Sequence, residues 1–216
     1  MVLKHRADYG VALDGDGDRV ILVDSDGNIL DGDDLLYIMA FSNPNRAGPW
    51  GGVVGTKMSN FGLEDGLKKL GYKFIRADVG DKYVSQKLSE KGWLLGGETS
   101  GHIISKDLVS TGDGTIAALK VISSLMILEK TPSEVLSNYN KRPQINIAVP
   151  VKNKDVINDS SIQSAISDAQ SDITVDRVLV RPSGTESKIR VMVEATDENT
   201  AKKYAKDLSK LIESKL

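Results

Sequence analysis

The sequence of 216 residues contains no cysteine, and its formal net charge at pH 7 is only −2. The absence of cysteine excludes a disulfide framework. Acidic and basic residues are interspersed along the chain, so the sequence predicts no basic surface that would attract a nucleic acid. We therefore expect neither disulfide stabilisation nor a nucleic-acid partner.

Long apolar runs are also missing. No stretch reaches the roughly 18 apolar residues that a membrane-spanning helix needs, and residues 1–8 lack the charged-then-apolar pattern of an export signal. The most apolar stretch, 115–128, contains Lys120 and two serines and predicts a buried helix. We expect no membrane partner and a cytoplasmic protein, with 40% hydrophobic residues available for its cores.

The most informative stretch that is present is Asp14-Gly15-Asp16-Gly17-Asp18-Arg19, which lies between apolar runs at 11–13 and 20–23. Glycine tolerates positive φ, so the alternation lets the backbone fold tightly and bring three carboxylates to one point. Repulsion among three anions favours a hard divalent cation, Mg²⁺ or Ca²⁺. A calcium-binding EF-hand is excluded, because its sixth and twelfth positions need Gly and Glu, whereas this chain has Arg19 and Ser25 there.

Mg²⁺ suits this loop, because water and a phosphate oxygen commonly complete its octahedral shell. Asp14, Asp16 and Asp18 are therefore our candidate metal ligands. Arg19 stands beside them and suits a phosphate neighbour, which makes it our candidate catalytic residue. The alternative is a polar β-turn whose acids are only solvated, since short Asp/Gly loops of that kind are common.

Predicted strands and helices alternate on either side of this loop. The predicted strands lie at 9–13, 19–24, 29–30, 52–56, 73–79 and 93–95, and the predicted helices run from Asp33 or Asp34 to about Phe41 and over 59–70, 81–91 and about 113–129. The last helix is hydrophobic nearly all round, so we expect it to pack across the sheet. This alternation predicts an α/β layer with a largely parallel sheet.

A domain boundary is predicted near 141–143, after a helix that begins with a capping box at 131–134. The strands predicted beyond the boundary lie at 145–151, 174–180 and 189–195, with a helix at 160–171. A C-terminal helix presents one apolar face, formed by Ala201, Tyr204, Ala205, Leu208, Leu211 and Ile212. These patterns predict a small α+β domain. At the other end, the strand at 9–13 has no upstream neighbour, which suggests a piece of a larger protein.

Two further stretches combine glycine with polar side chains. Gly96-Gly97-Glu98-Thr99-Ser100-Gly101-His102 follows a predicted strand, at the end of a sheet where α/β proteins bind ligands; the alternative is an ordinary glycine-rich turn. His102 either contacts the ligand or is a packed, hydrogen-bonded histidine. Arg181-Pro182-Ser183-Gly184-Thr185-Glu186 offers a guanidinium, hydroxyls and amides to a phosphate; the alternative is a Ser-Gly hairpin turn.

These three motifs, in order over nearly the whole chain, resemble the α-D-phosphohexomutase family. The resemblance implies that residues 1–30 are the end of the family's second domain and carry the metal loop. It implies that 31–140 form a mixed, mainly parallel α/β domain that binds the sugar. Residues 141–216 would then form a small phosphate-binding α+β domain, with helices on one face of an antiparallel sheet.

The resemblance also implies an activity and a role for each motif. A phosphoserine donates its phosphate to a sugar phosphate, the bisphosphate intermediate reorients, and the enzyme takes back the other phosphate. Mg²⁺ lies on the three aspartates of the loop. The implied substrate-binding residues are Glu98, Ser100 and His102 for the sugar and Arg181, Ser183, Gly184 and Thr185 for the distal phosphate.

The sequence also departs from the family pattern. The family's phosphoserine belongs to a Ser-His-Asn motif, whereas the two histidines here are His5 and His102, and neither stands in such a motif. Lys82 stands where many relatives have arginine, and lysine keeps the charge but loses the bidentate fork. The segment Met58-Ser59-Asn60 is similar to one in the members that act on glucosamine phosphates, which favours those members.

Three questions stay open at this point. The sugar could be a glucosamine, mannose or glucose phosphate. The chain could be a non-catalytic module that only binds a metal and a sugar phosphate. A homodimer of the longer enzyme is also open.

Overall fold

A computed structural model describes residues 1–184 and 186–215. The chain divides into two compact units, Met1–Asn140 and Lys141–Leu216. Among the described residues, no helix is both long and apolar enough to cross a membrane.

The first unit begins with a short helix, α1 (Val2–His5), and an antiparallel sheet of strands β1 (Tyr9–Leu13), β2 (Val20–Asp24) and β3 (Ile29–Leu30). Strand β1 pairs with β2, with Leu13 opposite Val20, so the aspartate loop closes a hairpin between them. No strand precedes β1 in the described residues, and β1 pairs instead with the downstream strand β2. Val11 and Leu13 of β1 remain about half exposed.

A second sheet of the first unit has the order β5-β4-β6-β7. Its strands are β4 (Gly52–Thr56), β5 (Lys73–Ala77), β6 (Leu95–Gly97) and β7 (Ile103–Ser105). Strand β4 is parallel to β5 and β6, whereas β7 is antiparallel to β6. The predicted mixed, mainly parallel α/β sheet is therefore confirmed. The strand predicted at 93–95 begins two residues later, because Leu95 is the first residue that aligns with β4, opposite Val53.

Five further helices belong to this unit: α2 (Gly32–Ser42), α3 (Phe61–Lys69), α4 (Asp81–Lys91), α5 (Gly114–Leu128) and α6 (Pro132–Leu136). Helix α2 is the centre of the core, and its residues 32–40 are all buried. It packs against α3, α5, α6 and strand β6. Because neighbours surround it, α2 shows no polar face and its first turn lies inside the protein.

The structure corrects two predictions about these helices. Helix α2 is capped by Asp31, not by Asp33 or Asp34: the Asp31 side chain accepts from the amides of both, and the Asp34 carboxylate accepts from the Asp31 amide. Helix α5 is not buried all round. Leu119, Met126 and Ile127 form an outward stripe that is 62–78% exposed.

The second unit is an antiparallel sheet with helices. Its strands β8 (Gln144–Pro150), β9 (Val175–Pro182) and β10 (Lys188–Ala195) have the order β8-β10-β9, and its helices are α7 (Ser160–Ser171) and α8 (Glu198–Glu213). Helix α8 packs on β8 and β10 through Ala201, Ala205, Leu208 and Ile212, as predicted, and α7 packs on β9 and against α8. The predicted small α+β fold is therefore confirmed.

Ile189 of the central strand β10 provides a test of this core. Its side chain is fully buried, at 0% exposure, whereas Ile173 before β9 is 96% exposed. We expect Ile189→Ala to lower the free energy of unfolding by about 2–5 kcal/mol, because it leaves a cavity in the sheet's apolar face. The matched Ile173→Ala should change it by less than about 0.5 kcal/mol. Urea unfolding followed by circular dichroism measures both, and equal midpoints would contradict this core.

Candidate functional site

The aspartate loop is a tight turn between β1 and β2. The Gly17 amide donates to the Asp14 carbonyl at 3.3 Å, the Arg19 amide donates to Asp14 Oδ1 at 3.1 Å, and Gly17 has a positive φ of 74°. Carboxylate oxygens of Asp14, Asp16 and Asp18 consequently lie within 4.8 Å of one another. Bonds within the loop tighten the turn, and two contacts from outside also hold it: the Gly114 amide donates to the Gly17 carbonyl at 2.9 Å, and His102 Nδ1 lies 3.1 Å from Asp18 Oδ2.

The charges of this loop fit a divalent cation. Asp18 Oδ1 is buried and has no hydrogen-bond partner among the described residues. Reduced contact with water tends to raise the pKa of Asp14, but the hydrogen bond from the Arg19 amide and the Arg19 charge outweigh it and lower this pKa below the usual value. Arg19 Nε lies 3.8 Å and 3.7 Å from carboxylate oxygens of Asp14 and Asp18. The loop therefore offers carboxylate oxygens next to one half-exposed guanidinium.

His102 lies behind this loop. Its ring is 3% exposed, its Nδ1 is 3.1 Å from Asp18 Oδ2, and a side chain at Gly112 would collide with it. This is the geometry of the packed, hydrogen-bonded histidine that the sequence left as one alternative. The ring is therefore placed to orient the Asp18 carboxylate.

The glycine-rich loop at 96–102, called the sugar loop after its predicted role, is joined to the aspartate loop by its backbone. The Val20 amide donates to the Gly101 carbonyl at 3.1 Å, and Arg19 and His102 form a β-bridge. Gly101 has φ +94°, and a Cβ there would lie 2.1 Å from the Val20 carbonyl oxygen. Only glycine permits this approach. Ser100 consequently lines the same surface cavity as Asp14 and Arg19.

Glu98 projects from the sugar loop toward the start of α4. Its Oε1 accepts from the Gly80 amide at 3.0 Å. The loops that follow β4, β5 and β6 thus meet at the carboxyl ends of parallel strands, the usual ligand position in such sheets. Lys57 and Asp78 form an ion pair across the first two of these loops.

Arg76 is a residue at this edge that the sequence reasoning missed. Its Nη1 donates to the carbonyls of Thr56 and Ser59, and its Nη2 lies 3.0 Å from Glu64. In the sequence, the only indication of this role was an arginine inside the strand predicted at 73–79. Lys82 lies in the first turn of α4, with its Nζ 4.7 Å from the centre of the Tyr83 ring.

The second unit carries the predicted phosphate loop between β9 and β10. Ser183 is buried, its amide donates to the Lys188 carbonyl at 2.8 Å, and its Oγ accepts from the Glu186 amide at 3.3 Å. Lys154 Nζ donates to the Ser183 carbonyl at 2.6 Å. Thr185, also predicted to bind phosphate, lies outside the described residues.

The electrostatics of this loop favour an anion. Arg181 Nε is buried without a hydrogen-bond partner among the described residues. The hydrogen bond from Lys188, with the charges of Lys188 and Arg190, lowers the pKa of Glu186. Because both cations pair with this one acid, the three residues Glu186, Lys188 and Arg190 together keep a surplus of positive charge.

Comparisons with known proteins agree with this arrangement. Residues 31–142 match the family described as phosphoglucomutase/phosphomannomutase, alpha/beta/alpha domain III, and residues 145–211 match its C-terminal domain. A phosphoglucosamine mutase of Cellvibrio japonicus is 46% identical over 100% of this chain and 49% of its own length. One of Teredinibacter turnerae is 46% identical over 98% of this chain and 48% of its own length. The chain spans about half the length of these relatives.

Solved structures show the same fold. The N-acetylphosphoglucosamine mutase of Aspergillus fumigatus, in complex with GlcNAc-6P and magnesium, superimposes with a TM-score of 0.80 at 22% identity, over 95% of this chain and 52% of that one. A phosphoglucomutase/phosphomannomutase family protein of Burkholderia thailandensis gives a TM-score of 0.77 at 23% identity, over 99% of this chain and 48% of that one. With both domain matches, these findings show that the chain belongs to the phosphoglucomutase/phosphomannomutase family, the α-D-phosphohexomutases that its three motifs resemble.

Proposed function

We propose that this chain supplies the metal, sugar and distal-phosphate sites of a phosphoglucosamine mutase, which interconverts glucosamine 6-phosphate and glucosamine 1-phosphate. The observation that carries the proposal is the 46% identity to a phosphoglucosamine mutase across the whole chain. The reaction moves a phosphate through a phosphoserine enzyme and a sugar bisphosphate. Catalysis of that kind depends on positioning and on neutralising charge.

The aspartate loop would hold Mg²⁺, since Asp14, Asp16 and Asp18 provide converging carboxylate oxygens. When bound, the ion supplies positive charge that offsets the charge developing on the transferred phosphoryl group. Arg19 lies beside the carboxylates and would bind a phosphoryl oxygen. His102 holds Asp18 from behind.

The sugar loop would bind the hexosamine ring. The Gly80 amide fixes the Glu98 carboxylate at the end of the sheet, where that carboxylate would accept from sugar hydroxyls. Ser100 lies beside Asp14 and Arg19 in one cavity, so it would contact the part of the substrate nearest the transferred phosphate. In the second unit, Arg181, Ser183 and Gly184, with Thr185, would bind the other phosphate as a dianion.

The Ser-His-Asn motif that carries the family's phosphoserine does not occur in this sequence. That observation favours a second candidate function, a module that binds a metal and a sugar phosphate without turning it over. The two functions differ in whether a phosphoserine segment acts together with these residues.

Metal binding by the aspartate loop can be measured on the chain itself. We expect Mn²⁺, used as a paramagnetic substitute for Mg²⁺, to broaden the amide resonances of residues 14–19 first. Asp16→Asn should weaken Mn²⁺ binding roughly tenfold, because one of three charged ligands is lost. Asp26→Asn, in the exposed turn between β2 and β3, is the control and should bind as the wild type does. Equal affinity in the Asp16 variant would place the metal elsewhere.

Arg181 can be tested by a substitution that keeps its charge. We expect Arg181→Lys to weaken glucosamine 6-phosphate binding by roughly 1.5–3 kcal/mol, because the bidentate fork loses a charge-assisted hydrogen bond. Arg177→Lys, on the same strand but paired with buried Glu194, should leave the affinity unchanged. Titrations followed by ¹⁵N spectra measure both, with mannose 6-phosphate as the competing sugar. Wild-type affinity in the Arg181 variant would remove Arg181 from the site.

Turnover separates the two candidate functions. We expect no conversion of glucosamine 6-phosphate by the 216-residue chain with Mg²⁺. Conversion should appear when the chain follows the first half of the Cellvibrio japonicus relative in one polypeptide. In that fusion, Glu98→Gln should lower turnover roughly a hundredfold or more, because it weakens sugar contacts that tighten in the transition state, while phosphorylation of the serine persists. Turnover by the chain alone would overturn the need for an external nucleophile.

A further inference from the structure

Asp33 is a carboxylate in the centre of the first unit's core. It stands in the first turn of α2, and its side chain is 0% exposed. Burying an ionised carboxylate is costly unless strong hydrogen bonds compensate. Asp33 lies at the positive end of the α2 dipole, which favours a carboxylate there, and its Oδ2 accepts two hydrogen bonds.

Those hydrogen bonds reach two separate ligand loops. Asp33 Oδ2 accepts from the Asn60 amide at 2.7 Å and from the Thr99 hydroxyl at 3.0 Å. Asn60 ends the segment 57–60 after β4, and its own side chain caps α3. Thr99 stands in the sugar loop between Glu98 and Ser100. One carboxylate oxygen thus joins the loop after β4 to the loop after β6.

The backbone of α2 holds the sugar loop from the same side. The Gly32 amide donates to the Thr99 carbonyl at 3.1 Å, and a Cβ at Gly32 would lie 1.9 Å from the Glu98 carbonyl oxygen. Thr99 is therefore bound to the first turn of α2 through both its carbonyl and its hydroxyl. The neighbouring side chains of Glu98 and Ser100 take their positions from this attachment.

We infer that Asp33 is a positioning residue that fixes the sugar loop against the 57–60 segment, and so sets the places of Glu98 and Ser100 for the sugar phosphate. The identity of that ligand rests on the proposed function. A carboxylate suits this role, since it accepts an amide and a hydroxyl at once and binds both more strongly than a neutral acceptor. Asp33 is fully buried, so it would act on the ligand site through Thr99.

The test compares two aspartates of the same helix turn. Asp33→Asn keeps the size of the side chain but replaces one carboxylate oxygen with an NH₂ group, which donates hydrogen bonds and carries no negative charge. Asp34→Asn is the matched control, because Asp34 is also buried and accepts from the Asp31 amide in the capping box. We expect Asp33→Asn to weaken glucosamine 6-phosphate binding roughly tenfold and to speed hydrogen exchange at the Asn60 amide severalfold. Asp34→Asn should lower the melting temperature and leave the sugar affinity unchanged.

Mn²⁺ binding distinguishes a positioning role from general damage, because the aspartate loop does not contact Asp33. We expect Asp33→Asn to bind Mn²⁺ as the wild type does, whereas a broadly disordered variant would lose metal and sugar together. If Asp33→Asn fails to fold, Thr99→Val breaks the same contact from the other side and should give the same loss of sugar affinity. Where both single variants fold, the combined variant should lose no more sugar affinity than either single variant does.

The outcomes separate this inference from the proposed function. Wild-type sugar affinity and wild-type exchange at Asn60 in Asp33→Asn would overturn the positioning role. A wild-type chain that binds no sugar phosphate would count against the proposed function. The exchange rates at Asn60 and in the sugar loop would then decide the role of Asp33 alone.

Discussion

The close approach of Gly101 to Val20 is the constraint on which the candidate site depends. A hydrogen bond of 3.1 Å joins the Val20 amide to the Gly101 carbonyl, and no side chain fits between them. This contact connects the antiparallel sheet, which carries the aspartate loop, to the parallel sheet, which carries the sugar loop. Without it, Ser100 would not share a cavity with Asp14 and Arg19.

Charge is distributed differently in the two units. The first unit gathers carboxylates that have different partners: Asp14 has an amide and Arg19, Asp18 has His102, and Asp33 has an amide and a hydroxyl. Acids gathered in this way suit a cation and neutral sugar hydroxyls. The second unit gathers cations, with Lys154 bonded to the Ser183 carbonyl and Arg181 nearby. That arrangement suits an anion.

Much of the fold could be predicted because its signals are local. The helix at Ser160–Ser171, the capping box at Thr131, and the αL glycine that ends α4 all depend on residues within one turn. Where three acids stood close together, at 31, 33 and 34, the local signal was ambiguous, and only the bonds of the folded chain identify Asp31 as the cap. Strand β7 was not among the predicted strands, because its three residues are too few to show the two-residue alternation of a strand.

The candidate site divides along the same line. The tight turn of the aspartate loop depends on bonds that span at most five residues, those of Gly17 and Arg19 to Asp14, so its convergence could be predicted from the motif, whereas the bond from the Gly114 amide to the Gly17 carbonyl could not. The contacts that orient the other side chains join residues far apart in sequence: Glu98 to Gly80 across 18 positions, Thr99 to Asp33 across 66, and His102 to Asp18 across 84. No periodicity or spacing rule could indicate those pairs.

A sugar bisphosphate that reorients between two phosphate transfers needs two kinds of phosphate site. One takes part in the transfer, and the other only holds the second phosphate. On the proposed function, this chain has one of each. The transferring site pairs converging acids with a metal ion and Arg19, because charge must be neutralised where bonds break. The holding site needs only a fixed guanidinium and hydroxyl and amide donors, which a single hairpin provides. The transferring site draws on two sheets and a helix turn, whereas the holding site is formed within β9, β10 and their connection, so most of the long-range constraints lie in the first unit.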